Sequence, residues 1–185
     1  MQKTLDYYNR NAREFIEGTA GVDFSRIQNH FLSLLPKEAL ILDFGCGSGR
    51  DTKYFLEKGF RVEAADGSEE LCRLASAYTG IPVKQMLFQE LDETEKYDGI
   101  WACASILHLR RDELPKVFMK ICRALKRGGI LYVSFKYGDF EGERNGRYFT
   151  DLTEETAEKL LESAPELKIK ERWVTGDVRA GRGAE

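Results

Sequence analysis

The residues best suited to chemistry lie in Ile41–Arg50, ILDFGCGSGR. Gly45, Gly47 and Gly49 alternate between a short apolar run and a segment with helical spacing. Such a loop lets a ligand approach the backbone closely and points N–H groups at it. A triphosphate loop needs GxxxxGK[ST], whose lysine reaches the β- and γ-phosphates. Here Arg50 and Asp51 follow the third glycine. A dinucleotide loop needs GxGxxG, whereas this one reads GxGxG. Asp43 stands two residues before the first glycine, where it would repel a pyrophosphate and attract a cation. Asp66, 23 residues further on and followed by Gly67, can accept both hydroxyls of a ribose.

The elements around these residues set their places. Helices are expected at about residues 3–17 and 24–35, the second closed by Pro36. Ala39–Phe44 reads as a buried strand, Arg50–Lys58 as a helix stopped by Gly59, and Phe60–Ala65 as a second strand. Ser68 should cap a helix to about Tyr78. Pro82–Phe88 and Tyr97–Cys103 read as third and fourth strands, Arg111–Leu125 as a helix, and Ile130–Phe135 as a fifth strand after the Gly128-Gly129 turn. Strands alternating with helices imply an α/β, Rossmann-like, doubly wound and mostly parallel sheet, with helices on both faces. Ligands of such sheets sit beyond the carboxyl ends of the strands, where the glycine loop falls. Lys136–Thr150 reads as a long polar loop. A helix at about Thr153–Ser163 follows, with Asp151 and Glu154 spaced as a capping box, and a sixth strand is expected near Leu167–Val174.

Other residues can be placed against this frame. The fourth strand ends beside the ligand, so Ala102, Cys103 and Ala104 should pass close to it. Cys46 and Cys103 are expected to be small packing residues near the pocket. His108, just past the fourth strand, could remove a proton near neutrality or could pack beneath the loop. Tyr7, Tyr8 and Phe15 have helical spacing, which suits packing as well as a lid. Arg144, Arg147 and Tyr148 lie in the long loop, where an arginine pair would suit an anionic substrate.

The chain has 185 residues, 42% hydrophobic and 32% charged, with a formal net charge of -3. This balance offers no bulk attraction for nucleic acid or an anionic membrane, and neither is an expected partner. Cys46, Cys72, Cys103 and Cys122 form no CxxC pair and the two histidines are far apart, so no metal site is expected. With no signal-like start and no long apolar run, a cytoplasmic location is expected. A ligand with a ribose and a cation but no pyrophosphate describes S-adenosylmethionine.

Six segments, spread over most of the chain, resemble the class I S-adenosylmethionine-dependent methyltransferases. ILDFGCGSGRDT with VEAAD looks like the first two motifs, and YDGIWACASILHL like the fourth-strand segment. ALKRGGILYVSF is similar to the LKPGG turn and fifth strand. GRYFTDLTEE and YYNRNAREF resemble the post-strand stretch and cover helix of small-molecule members, closest to the tellurite-resistance and quinone-biosynthesis types. The resemblance implies S-adenosylmethionine as cofactor, held by Asp43, Gly45, Cys46, Gly47, Gly49, Asp66 and Gly67, with Cys103 and Ala104 nearby. It places the adenine amine on Glu90 and the ring against the Leu91 backbone, and makes the first helix a lid. Residues 1–36 would be a helical cover and 37–185 the cofactor-binding domain.

Methyl transfer to a small molecule, an oxyanion or a quinol-like compound, is the activity expected, with Tyr8, Arg144, Arg147 and Tyr148 on the acceptor and His108 as candidate base. Base-modifying members carry an Asn/Asp-Pro-Pro-Tyr motif where this chain reads Ala102-Cys-Ala-Ser105, which disfavours DNA. A domain that binds the cofactor without catalysis, and a nicotinamide-dependent oxidoreductase, are the alternatives. Family members close the sheet with a seventh strand. GDVRAGRGAE is too polar for one, so the last strand is expected to be missing and the chain to be a monomer or weak homodimer.

Overall fold

A computed structural model describes residues 2–176. Its order is α1 (Gln2–Thr19), α2 (Ser25–Ser33), β1 (Leu40–Phe44), α3 (Arg50–Glu57), β2 (Arg61–Asp66), α4 (Glu69–Thr79) and β3 (Val83–Gln85). Then come β4 (Tyr97–Ala102), α5 (Leu114–Ala124), β5 (Leu125–Val133), β6 (Glu141–Arg144), β7 (Arg147–Thr150) and α6 (Glu154–Leu161). The first five strands form one sheet in the order β3-β2-β1-β4-β5, and every pairing in it is parallel. The order reverses at β1, so the loops after β1 and β4 open a crevice at their carboxyl ends.

Burial explains why these stretches become strands. β1 is almost wholly buried, since it is central and covered on both faces. One face packs Leu42, Ile100, Ile121 and Phe118 with residues of α6. The other packs Ile41, Phe31, Phe55 and Trp101. Trp101 is fully buried, stacked on Tyr132 at 4.0 Å between centroids, and its indole N–H donates to Asp51 at 2.9 Å. That bond satisfies the one polar atom of the largest core side chain. Ser68 caps α4 as its sequence position predicts, its hydroxyl accepting from the Leu71 N–H at 3.2 Å.

Four elements differ from expectation. The third strand is short, because the chain turns into a 3-10 turn at Phe88–Glu90. The long loop after β5 is largely an antiparallel hairpin, β6–β7, closed by Asn145 and Gly146 with φ values of 49° and 76°. Those positive angles are the ones a two-residue hairpin turn demands. The N-cap of α6 is Thr153, boxed with Thr156, while Asp151 turns away to bind Arg144. The alternating segment Leu167–Val174 forms no strand. Instead Glu171 binds His30 at 2.9 Å and Trp173 lies 6.3 Å from the rings of His30 and Tyr132. Alternation shapes a pleated face only where a neighbouring backbone supplies the ladder. Most of the polar tail, residues 177–185, is outside the described residues, and with it the expectation about a closing strand. No helix among the described residues is long and apolar enough to cross a membrane.

Candidate functional site

The crevice is built from the glycine loop outward. β1 ends at Phe44, and the Gly45 and Cys46 N–H groups turn back to the Ala65 carbonyl at 2.8 and 3.0 Å. Gly45 has φ +86°, and a Cβ there would stand 2.4 Å from the Ser105 Cβ. Gly47 has φ +54°, and its Cβ would meet the Phe15 ring at 3.0 Å. At Gly45 no side chain fits, and at Gly47 one would press on Phe15 from a left-handed backbone, so the loop keeps its backbone bare. The Gly47 N–H donates to Asp66 Oδ2 at 2.9 Å, and the Ser68 N–H to Asp66 Oδ1 at 2.9 Å. Burial nevertheless holds the Asp66 carboxyl above the usual range. The carboxylate lines the cavity with lone pairs left to accept two further donors.

Asp43 lies beneath the loop. It is buried, accepts from the Thr52 hydroxyl at 2.5 Å, and is absent from the cavity wall. Burial, with Asp51 close by, pushes its carboxyl up to about 8. Asp51 and Arg50 line the wall instead. Arg50 donates twice to Asp51, at 2.8 and 2.9 Å, and sits 4.8 Å above the Phe24 ring. Asp51 also accepts from Gln28 at 2.6 Å. This pair was not among the expected site residues. Its signal was two polar residues at the start of a helix whose first turn must face the loop.

At the far end of the loop, Gly67 lies against Leu5 and Leu87. Leu87 and Phe88 line the cavity. Glu90 and Leu91 do not: the Glu90 carboxylate is exposed and caps its own turn by accepting from the Leu87 N–H at 2.7 Å, and Leu91 is buried in the core. Cys46 is buried and Cys103 half-buried, and both face the cavity. Burial lifts the Cys46 thiol well above its ordinary value and pushes that of Cys103 up to about 12, so both stay protonated. The Ala104 N–H donates to the Ser134 hydroxyl at 2.8 Å.

The opposite wall joins three distant parts of the chain. α1 supplies Tyr8, the 3-10 turn after β4 supplies His108, and β7 supplies Arg147. The Tyr8 hydroxyl lies 2.8 Å from His108 Nε2, and His108 Nδ1 lies 2.6 Å from the Tyr148 carbonyl. A carbonyl only accepts, so Nδ1 carries the hydrogen and Nε2 accepts from Tyr8. Burial, with Arg147 adding repulsion, pushes His108 down to about 4, and enclosure raises the Tyr8 hydroxyl. Both groups are therefore neutral at physiological pH. Arg144 lines the cavity but is held by Asp151. The Tyr148 ring turns outward, its hydroxyl donating to Glu141 at 2.9 Å, so this residue reaches the site through its backbone. Among the described residues, no group of His, Cys, Asp and Glu is arranged to hold a metal.

Residues 41–129 match the sequence family described as methyltransferase domain. The match, the sheet order and the bare glycine loop together make the chain similar to the S-adenosylmethionine-dependent methyltransferases. The chain is 32% identical to YqeM of Bacillus subtilis (strain 168), named for a methyltransferase, over 57% of this chain and 47% of that one. It is 29% identical to the ubiquinone biosynthesis O-methyltransferase of Idiomarina loihiensis, over 58% of this chain and 46% of that protein. It thus spans about half the length of the curated relatives it matches. Among solved structures, it is similar to the 1,6-didemethyltoxoflavin-N1-methyltransferase of Burkholderia thailandensis with its substrate and S-adenosylhomocysteine bound. The TM-score is 0.68 at 26% identity, covering 86% of this chain and 73% of that one.

Proposed function

We propose that this chain transfers a methyl group from S-adenosylmethionine to a small-molecule acceptor. The observation that carries the reading is the bare loop at Gly45 and Gly47 facing the paired Asp66 carboxylate. It offers close backbone approach and a ribose acceptor. The acidic side chains of the wall, Asp51 and Asp66, with Arg50 paired to Asp51, suit a cation better than a pyrophosphate. In this reading Asp66 holds the ribose hydroxyls, and Leu87 and Phe88 flank the adenine. The Arg50–Asp51 pair faces the amino-acid end, with the buried Asp43 carboxyl below it, kept protonated by burial.

When bound, S-adenosylmethionine supplies a methyl group activated by a positive sulfur. The chain's own work is alignment and exclusion of water. α1 carries Tyr8 and Phe15 across the site, their rings 5.2 Å apart. Tyr8 and His108 stand where an acceptor's proton can leave: the proton passes to the Tyr8 oxygen as the Tyr8 hydrogen passes to His108 Nε2.

The test is formation of S-adenosylhomocysteine from isotopically methyl-labelled S-adenosylmethionine, with small phenols, aromatic acids, quinols, and tellurite and selenite as acceptors. Label in one of these acceptors, with equal product nucleoside, is the expected result. Tight cofactor binding without transfer to any of them would replace the reading with a non-catalytic binding domain.

A further inference from the structure

The β6–β7 hairpin carries two arginines in opposite settings. The Arg144 guanidinium is bound by both oxygens of Asp151 and lies 4.1 Å over the Phe140 ring. Its charge is spent inside the protein. Arg147 has no carboxylate within ion-pair distance among the described residues. The one hydrogen bond it makes there is from Nη1 to the Tyr8 hydroxyl, at a long 3.4 Å. Its Nε is buried and has no partner, and Nη2 likewise has none among the described residues. The guanidinium is held instead by aromatic faces, 4.5 Å from the Tyr7 ring, 5.2 Å from Phe149 and 5.8 Å from Tyr8.

This arrangement leaves one edge of the fork without a partner, its Nε covered by neighbouring side chains. Nε and Nη2 donate in parallel, the geometry that receives the two oxygens of a carboxylate. A partly buried cation kept from carboxylates by three rings is costly unless a ligand completes it. Two of the rings beside it, Tyr8 and Phe149, line the same cavity as the glycine loop, while Tyr7 packs behind the guanidinium.

We propose that Arg147 receives a carboxylate on the methyl acceptor, and that the acceptor is therefore a planar aromatic acid. The inference rests on the methyltransferase reading above. It separates the two arginines: Arg144 shapes the hairpin, and Arg147 binds. Charge and ring are recognised together, because two of the rings that hold the guanidinium, Tyr8 and Phe149, also line the cavity. A bare oxyanion would use the charge and leave the slot empty, and an uncharged quinol would leave the cation unpaired. An anion on Arg147 also offsets the positive charge that disfavours protonation of His108.

The experiment is calorimetric titration of the protein saturated with S-adenosylhomocysteine. The probes are benzoate, salicylate and nicotinate, with benzamide as the uncharged control and selenite as the bare oxyanion. The proteins are wild type, Arg147→Gln and Arg147→Lys. Expected is saturable binding of at least one aromatic acid to wild type, weakened about tenfold or more in Arg147→Gln and partly restored in Arg147→Lys. Benzamide should bind as poorly as the acid binds to Arg147→Gln, and the affinity of that variant for the nucleoside should be unchanged. Three results would overturn the inference: wild type that holds the nucleoside but binds none of the three acids, equal binding by Arg147→Gln, or selenite binding more tightly than every acid. Failure of wild type to take up the nucleoside is a different result, and overturns the methyltransferase reading itself.

Discussion

At the scale of single residues, the site divides by how narrowly its chemistry restricts residue type. A backbone that must stay bare at Gly45 admits only glycine, and the carboxylate that ends the second strand and binds the loop is Asp66, so the place of both was legible in the sequence. The adenine side was not, because hydrophobic contact accepts many side chains. Glu90, one of several acids in its loop and singled out by resemblance, caps its own turn, while Leu87 and Phe88 face the cavity. Arg50 and Asp51 hid for a related reason, since charges at the start of a helix usually face water. His108 gives the sharpest prediction here. Its folded value lies near 4 against 6.5 when unfolded. Between those values the unfolded chain binds the extra proton, so this residue's contribution is intact above pH 6.5 and is lost as pH falls toward 4. Asp43, raised from 3.8 to about 8, works in the opposite direction, with its contribution lost as pH rises. Comparing wild type with His108→Gln cancels the Asp43 effect. Chemical denaturation across this range should show wild type losing up to about 3 kcal/mol more than the variant. Parallel curves would mean that His108 is not buried neutral.

At the scale of elements, the hairpin and the first helix decide what faces the acceptor. The hairpin was legible in Asn145-Gly146, the strongest short hairpin signal, yet the surrounding glycines and charges made Lys136–Thr150 read as loop. The missing sixth strand failed for the converse reason: Leu167–Val174 alternates well but has no ladder partner. α1 was expected as a lid, and its anchors are now specific. The Thr4 hydroxyl accepts from the Tyr148 N–H at 3.0 Å. The Asn9 side-chain oxygen accepts from the Ser68 hydroxyl at 2.7 Å and the Glu70 N–H at 3.2 Å, tying α1 to α4. Asn9→Ala removes that tie, which is worth about 1 kcal/mol. Amide exchange in α1 should rise about fivefold while β1 and β4 keep their protection. Unchanged exchange in α1 would show that the lid is held by its aromatic contacts alone.

At the scale of the whole molecule, the doubly wound sheet and its switch point were the most legible features, because alternating strands and helices leave few other architectures. The fold puts two loops beside each other at β1 and β4, and the helix and hairpin roof them with residues about 100 and 140 positions apart in sequence, Tyr8 with His108 and Arg147. No local pattern could have announced that meeting. The central claim is that this crevice holds a ribonucleoside with a cationic chain and no pyrophosphate. The most direct test is calorimetric titration of the protein with S-adenosylhomocysteine, with NAD in parallel and Asp66→Ala as control. Binding of the nucleoside at micromolar strength, lost in Asp66→Ala and absent for NAD, is the predicted result. Wild type that binds NAD and not the nucleoside, or an Asp66→Ala protein that binds the nucleoside as tightly as wild type, would contradict it.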